Sequence, residues 1–113
     1  MKYMLLIYHD ERAWEQLNEA ERQKIYSEYR QLTQDIITSG QHLAGSQLQG
    51  TSTATSIRVR DEKQIVTDGP FAETKEQLAG YFLIETNSPE EAMAIAARVP
   101  TARVGTIEVR PLA

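Results

Sequence analysis

Leu78-Ala79-Gly80-Tyr81-Phe82-Leu83-Ile84-Glu85 is followed closely by Ser88-Pro89-Glu90-Glu91. The first segment is apolar and rich in strand formers, so it reads as a buried strand. The second is a helix start. Ser88 caps it, Pro89 occupies the first turn, and both glutamates face the positive helix end. Ala92, Ile95, Ala96 and Val99 continue as one apolar stripe, and Pro100 stops it. Gly105 to Arg110 then reads as a last strand, closed by Pro111. This half of the chain is β-α-β.

The same order stands at the front. Lys2 to Tyr8 is a near-continuous apolar run, expected as a central strand buried on both faces. His9-Asp10-Glu11-Arg12 ends it with a polar cluster. Asn18 and Glu21 have the spacing of a capping box. Ile25, Tyr29, Leu32 and Ile36 form one stripe of a helix that Gly40 is placed to end. His42 to Leu48 is the second strand of this half, weakened by Gly45.

Between the halves, Thr55–Arg60 alternates as a half-buried strand does, Asp61-Glu62-Lys63 turns the chain, and Gln64 to Thr67 returns. Two βαβ halves with an inserted β-hairpin predict an α+β fold of the ferredoxin-like, split βαβ kind. Its antiparallel sheet carries two helices on one face. The other face is expected to be covered by a second copy, because an exposed apolar sheet face is a large adhesive patch.

Composition narrows the function classes. The 113 residues make one domain, spanning 1–113. There is no cysteine, which excludes disulfides and thiolate metal sites and fits a reducing compartment. Net charge is −4 and basic residues form no run, so nucleic acid is not an expected partner. Met4-Leu5-Leu6-Ile7-Tyr8 is too short to span a bilayer and lacks a secretory h-region, so no membrane partner is expected and the cytoplasm is the expected location.

Thr67-Asp68-Gly69-Pro70-Phe71-Ala72-Glu73-Thr74-Lys75-Glu76 resembles the signature of the DGPF (DGPFAETKE) family, which belongs with the YCII-related proteins. The opening Met1–Tyr8 and the closing Val109-Arg110-Pro111-Leu112 are also similar to that family. The resemblance covers essentially the whole chain. It implies a dimeric α+β barrel, with two ferredoxin-like sheets packed face to face. YCII relatives are proposed to be enzymes using a His–Asp pair whose histidine lies on the first helix. This chain has no histidine between Asn18 and Gly40, so that dyad does not carry over. The wider superfamily includes small monooxygenases and related enzymes that bind aromatic substrates, an analogy at the level of the fold.

Topology suggests where a site would lie. The first and third core strands of such a sheet are antiparallel neighbours. The exit of Lys2–Tyr8 therefore stands beside the approach to Leu78–Glu85. That gathers His9 and Asp10 with Glu73, Thr74, Lys75 and Glu76, and the Asp68 loop is expected at the same end, with Phe71 anchoring it in the core. His9 and Asp68 are the candidate catalytic pair. Asp10, Phe71, Glu73 and Lys75 are the candidate ligand contacts. Histidine titrates near neutrality and an adjacent carboxylate can orient it. The set also reads as a solvated charged rim, and Asp68-Gly69-Pro70 as a structural turn, since Asp bonds nearby backbone and Gly tolerates unusual φ. No metal site and no particular cofactor is assigned. His42 is expected at the opposite sheet end, away from His9. Trp14 with Tyr8, Tyr26, Tyr29 and Tyr81 can line an aromatic pocket between sheet and helix, or serve simply as core. Three function classes remain open: a small-ligand binder with a cleft at one sheet end, a small acid–base enzyme using His9 and Asp68, and a regulatory or partner-binding module.

Overall fold

A computed structural model describes residues 1–113. Strand β1 is Lys2–His9, followed by a short helix α1 at Glu11–Glu15 and the long helix α2 at Glu19–Thr38. Strands β2 (His42–Gln47), β3 (Thr55–Arg60), β4 (Lys63–Asp68) and β5 (Gln77–Glu85) come next. Helix α3 (Pro89–Arg98), a 3-10 turn at Pro100–Arg103 and strand β6 (Thr106–Pro111) complete the chain. Four strands form one sheet in the order β2-β5-β1-β6, every neighbouring pair antiparallel. This is the ferredoxin-like arrangement. The hairpin of β3 and β4 forms a separate two-stranded ribbon, an arm inserted between β2 and β5.

The caps are those the sequence specifies. Asn18 accepts from Glu21 N–H at 2.8 Å while Glu21 accepts from Asn18 N–H at 3.0 Å. Ser88 caps α3 through the Glu91 N–H. Gly40 takes the left-handed φ of +77° that ends α2. Helix α1 is not expected from the sequence. The polar cluster after β1 does not simply turn the chain: Asp10 caps a single helical turn, accepting from Arg12 N–H at 2.9 Å.

Alternate residues of each strand face the helices. Tyr3, Leu5 and Ile7 of β1 and Phe82 and Ile84 of β5 are buried there against Leu32 and Ile36 of α2 and Ala92, Ile95 and Ala96 of α3. Tyr29, Ile107 and Val109 pack against the same cluster. The alternate residues of β1, Met4, Leu6 and Tyr8, remain half-exposed, as do Tyr81 and Leu83 beside them. The expectation that β1 is buried on both faces is therefore corrected: it is central, but the chain covers one of its faces only. The apolar run reads the same whether the second cover comes from the chain itself or from elsewhere.

A second correction concerns Phe71. It is 81% exposed and anchors nothing in the core. The segment follows β4 of the separate two-stranded ribbon rather than the four-stranded sheet that holds the core. No helix is long and apolar enough to cross a membrane.

Candidate functional site

A groove of about 230 Å³ lies between the helix-facing side of the sheet and helix α2. Its floor is Ile7, Gly45, Gly80 and Phe82, and its walls are Trp14, Tyr26, Tyr29 and Thr33. The floor is low because of Gly45. A Cβ there would stand 2.8 Å from the Phe82 ring, so any larger residue would displace that ring. Gly80 serves the sheet instead: its Cβ would meet the Ser46 carbonyl oxygen of the neighbouring strand at 2.8 Å.

Two aromatic groups build the ends. At one, the His9 imidazole stacks on Trp14 with centroids 5.6 Å apart, and Tyr26 meets Trp14 edge-on at 5.6 Å. At the other, Tyr29 stacks on Phe82 at 6.3 Å and His42 meets Phe82 edge-on at 6.2 Å. His9 and His42 stand at opposite ends of the sheet, since His9 pairs with Gln77 and His42 with Ile84. The groove runs between them and both line it.

Trp14 is held from below. Arg22 donates to the Trp14 and Glu15 carbonyl oxygens at 3.3 and 2.9 Å, and its guanidinium lies 5.8 Å over the indole. The Glu11 N–H donates to Gln77 Oε1 at 3.0 Å. The Glu11 carboxylate accepts from the Thr51 N–H and hydroxyl at 2.7 and 2.8 Å. Helix α1 is thus pinned both to the start of β5 and to the segment leading into the arm. His9 follows Tyr3, Leu5 and Ile7 onto the groove side by alternation, and a bulge in β5 at Ala79, between the partners of Ile7 and Tyr8, lets Ala79 line the groove as well.

Three hydrogen bonds tie polar side chains of the groove wall. Tyr29 Oη and Thr101 Oγ1 lie 2.5 Å apart, Gln47 Nε2 donates to Tyr26 Oη at 3.3 Å, and the Thr33 hydroxyl donates to the Tyr29 carbonyl at 2.8 Å. Burial raises the Tyr29 pKa above the ordinary phenol value, against the bond to Thr101. None of the 15 lining residues carries a formal charge, although a quarter of the chain is Asp, Glu, Lys or Arg.

His9 also borders a second cavity of about 210 Å³ at the mouth, shared with Glu11, Trp14, Glu15 and the segment Gln47–Gly50. Burial lowers the His9 pKa and outweighs the opposing pull of Glu11, Asp10 and Glu76. The imidazole is therefore neutral at neutral pH. It can accept a proton or a hydrogen bond.

The residues expected at one sheet end divide. His9 and Asp10 are there with Glu76, as expected, and Glu11 rather than Glu73 is the further neighbouring carboxylate. Asp68 is exposed at the end of β4, and Phe71, Glu73 and Lys75 are exposed in the segment after it. None of these four lines either cavity or stands among the charges acting on His9. Gly69 takes φ +96°, as a strained turn requires. The Asp68 carboxylate caps nothing; Gly69 itself secures the turn, its N–H donating to Ala54 O at 2.7 Å and its carbonyl accepting from the Ser56 hydroxyl at 2.7 Å. The aromatic pocket, by contrast, contains Trp14, Tyr26 and Tyr29; Tyr81 borders it, but its register opposite Leu6 puts its side chain on the other sheet face, where Tyr8 also lies. Thr33, Gly45 and Thr101 belong to the groove and carry only a weak sequence signal. The clearest is Gly45, a glycine inside a strand at a helix-facing position.

A profile of the YCII-related domain matches residues 1–113. The chain belongs to the YCII-related family. An uncharacterized protein of Rhizobium meliloti (strain 1021) is 35% identical to it over 115 residues, covering 100% of this chain and 93% of that protein. Within this YCII-related protein no three His, Asp or Glu side chains converge in a way that could hold a metal ion.

Proposed function

We propose that this YCII-related protein is a small-ligand-binding protein that works as a homodimer in the cytoplasm, with its ligand in the aromatic groove. The observation that carries the reading is the lining: the rings of Trp14, Tyr26, Tyr29 and Phe82, two imidazoles and no formal charge, around a cavity of about 230 Å³. An apolar cavity of roughly 150 Å³ is enough to take up benzene. The groove therefore suits one planar ring with short polar substituents, stacked between Trp14 and Phe82. The half-exposed apolar face of the sheet supports the dimer, because the groove lies on the helix side and stays free when the other face is covered. The absence of cysteine supports a reducing compartment.

Trp14 is the single tryptophan and stands in the wall, so its fluorescence reports on the groove directly. A panel of uncharged one-ring phenols and heteroaromatics is expected to contain compounds that quench it saturably. At 100 times its dissociation constant such a compound raises the stability by about 2.7 kcal/mol. A panel that moves neither the fluorescence nor the melting temperature sinks the reading.

A second reading rests on His9. It borders both cavities, is held neutral by burial and faces Glu11, Asp10 and Glu76. A proton-exchanging base at the mouth of an aromatic groove is what a small acid–base enzyme needs. In that case His9→Gln leaves binding within a few-fold and removes turnover of whichever bound compound is transformed.

A further inference from the structure

The chain exposes more surface than it should alone. Its accessible area is 7897 Å². A self-contained monomer of 12.8 kDa exposes roughly 6,300 Å². The excess is about 1,600 Å² per chain by the same scaling. The radius of gyration is 15.9 Å, where about 13 Å is usual for this length.

Two surfaces hold that excess. One is the open sheet face. Four strands about 4.8 Å apart and roughly six residues long at 3.4 Å rise present only about 400 Å² of face. The other is the arm. Eleven of the twelve residues of β3 and β4 are exposed and only Ser56 is half-buried. Its register sorts the side chains. Ile57 and Val66 are opposite one another, with Val59 beside them, and these three are 60%, 56% and 61% exposed. Arg58, Arg60 and Lys63 point to the other face. Ile65, 45% exposed, lies on that second face opposite Arg58, while Gln64 and Asp68 flank the first, so one side of the ribbon is mainly apolar at its centre and the other mainly basic. Nothing in its own chain covers the apolar side, and an isolated two-stranded ribbon is marginal in water.

We infer that the arm is a clasp for a second copy of this chain: Ile57, Val59 and Val66 pack on the partner while Arg58, Arg60 and Lys63 remain in solvent. The inference rests on the homodimer proposed above and adds what that dimer needs. The flat footprint of the sheet face falls well short of the excess of about 1,600 Å² per chain, and the excess of two copies lies in the 2,000–5,000 Å² range of obligate homodimers. A two-fold dimer covers both patches with one self-complementary set of contacts. An unrelated partner would have to match both separately.

Sedimentation equilibrium on three proteins tests this. The unaltered chain is expected to be a dimer. Leu6→Lys, on the sheet face, is expected to give monomers. Ile57→Lys/Val66→Lys, on the arm, is expected to weaken the dimer about 100-fold or more, tenfold for each 1.4 kcal/mol of buried charge. The arm variant should keep its circular dichroism, because the arm supports nothing in its own chain. The cysteine-free background adds a second measurement. A polarity-sensitive dye on Val59→Cys should shift to the blue as concentration drives dimerisation, while one on Arg60→Cys should not. A chain that is monomeric throughout overturns the dimer and the clasp together. A dimer unchanged by the arm variant, with no dye shift at position 59, overturns the clasp alone.

Discussion

Strands β5 and β4 are both rich in Val, Ile, Phe or Thr, yet one is half core and the other is bare. Phe82 and Ile84 of β5 are 6% and 0% exposed, with helices α2 and α3 laid across them. Val66 and Ile65 of β4 are 56% and 45% exposed. Strand propensity is alike in the two; what differs is the presence of a covering layer. Local sequence sets the pairing of a strand, but only the topology decides whether that strand is buried. The four-stranded sheet therefore holds the body of the protein, and the arm is stabilised by whatever it meets.

The largest expected effect follows directly. Ile84→Ala removes a fully buried side chain of β5 from the core and should cost about 2–5 kcal/mol. Ile57→Ala on the arm should change the unfolding free energy of the monomer by no more than about 0.5 kcal/mol. Urea titrations at low protein concentration measure both. An arm substitution as costly as the core one would break the contrast.

The next effect sharpens it within the body. Gly105 precedes β6 where the chain passes β1, and a Cβ there would stand 2.2 Å from the Tyr8 carbonyl oxygen. Backbone cannot swing aside as a side chain can. Gly105→Ala should cost about 1–3 kcal/mol, read as a lowered urea midpoint. If the midpoint does not move, the β1–β6 edge is looser than its hydrogen bonds suggest.

These residues also mark how far sequence reading reaches. The two βαβ halves, the capping box at Asn18 and Glu21, and the stripe of Leu32 and Ile36 are periodic or stereochemical signals, and each appears in the structure where it was expected. Helix α1 has no period, being one turn held by Asp10 and by contacts to Gln77 and Thr51 far along the chain. Long-range contacts of that kind leave no local pattern. The candidate site was half legible for the same reason. Strand adjacency places His9 and Asp10 correctly, because pairing is a property of the sheet. Asp68 and Phe71 belong to an arm whose direction no periodicity encodes.

A smaller effect concerns the root of the arm. Gly69 has φ +96° and open space where a Cβ would go. Gly69→Ala should therefore cost roughly 1 kcal/mol through backbone strain alone. The loss belongs to the arm rather than to the core. Amide exchange should quicken in β3 and β4 and stay unchanged in β1 and β5. Equal quickening in both regions would mean that arm and body unfold as one unit.

The smallest effect is a dependence on pH, and it falls on the residue where body and groove mouth meet. His9 has its pKa lowered by burial, against the raising influence of Glu11, Asp10 and Glu76. In the unfolded chain the imidazole titrates near 6.5. Above that pH it is neutral in both states and adds no slope. As the pH falls below about 6.5 the unfolded chain takes up the proton first, so unfolding gains and stability drops. The drop is complete once the pH lies below the folded-state value. Glu28 shifts in the same direction from a different cause, its bond to Arg103 lowering a carboxylate pKa from 4.5, so its loss of stability falls in a separate, more acidic window. The difference between the unaltered chain and His9→Gln isolates the imidazole. Urea midpoints measured from about pH 7.5 down to about pH 5 should run parallel for the two proteins above about pH 6.5, and the unaltered chain should fall more steeply below it. Binding of an uncharged ligand should weaken over the same window, since a proton on His9 puts a charge at the mouth of a groove whose lining otherwise has none. Parallel midpoints across the range would mean that water reaches His9 freely, and that the stacking on Trp14 does not seal the mouth.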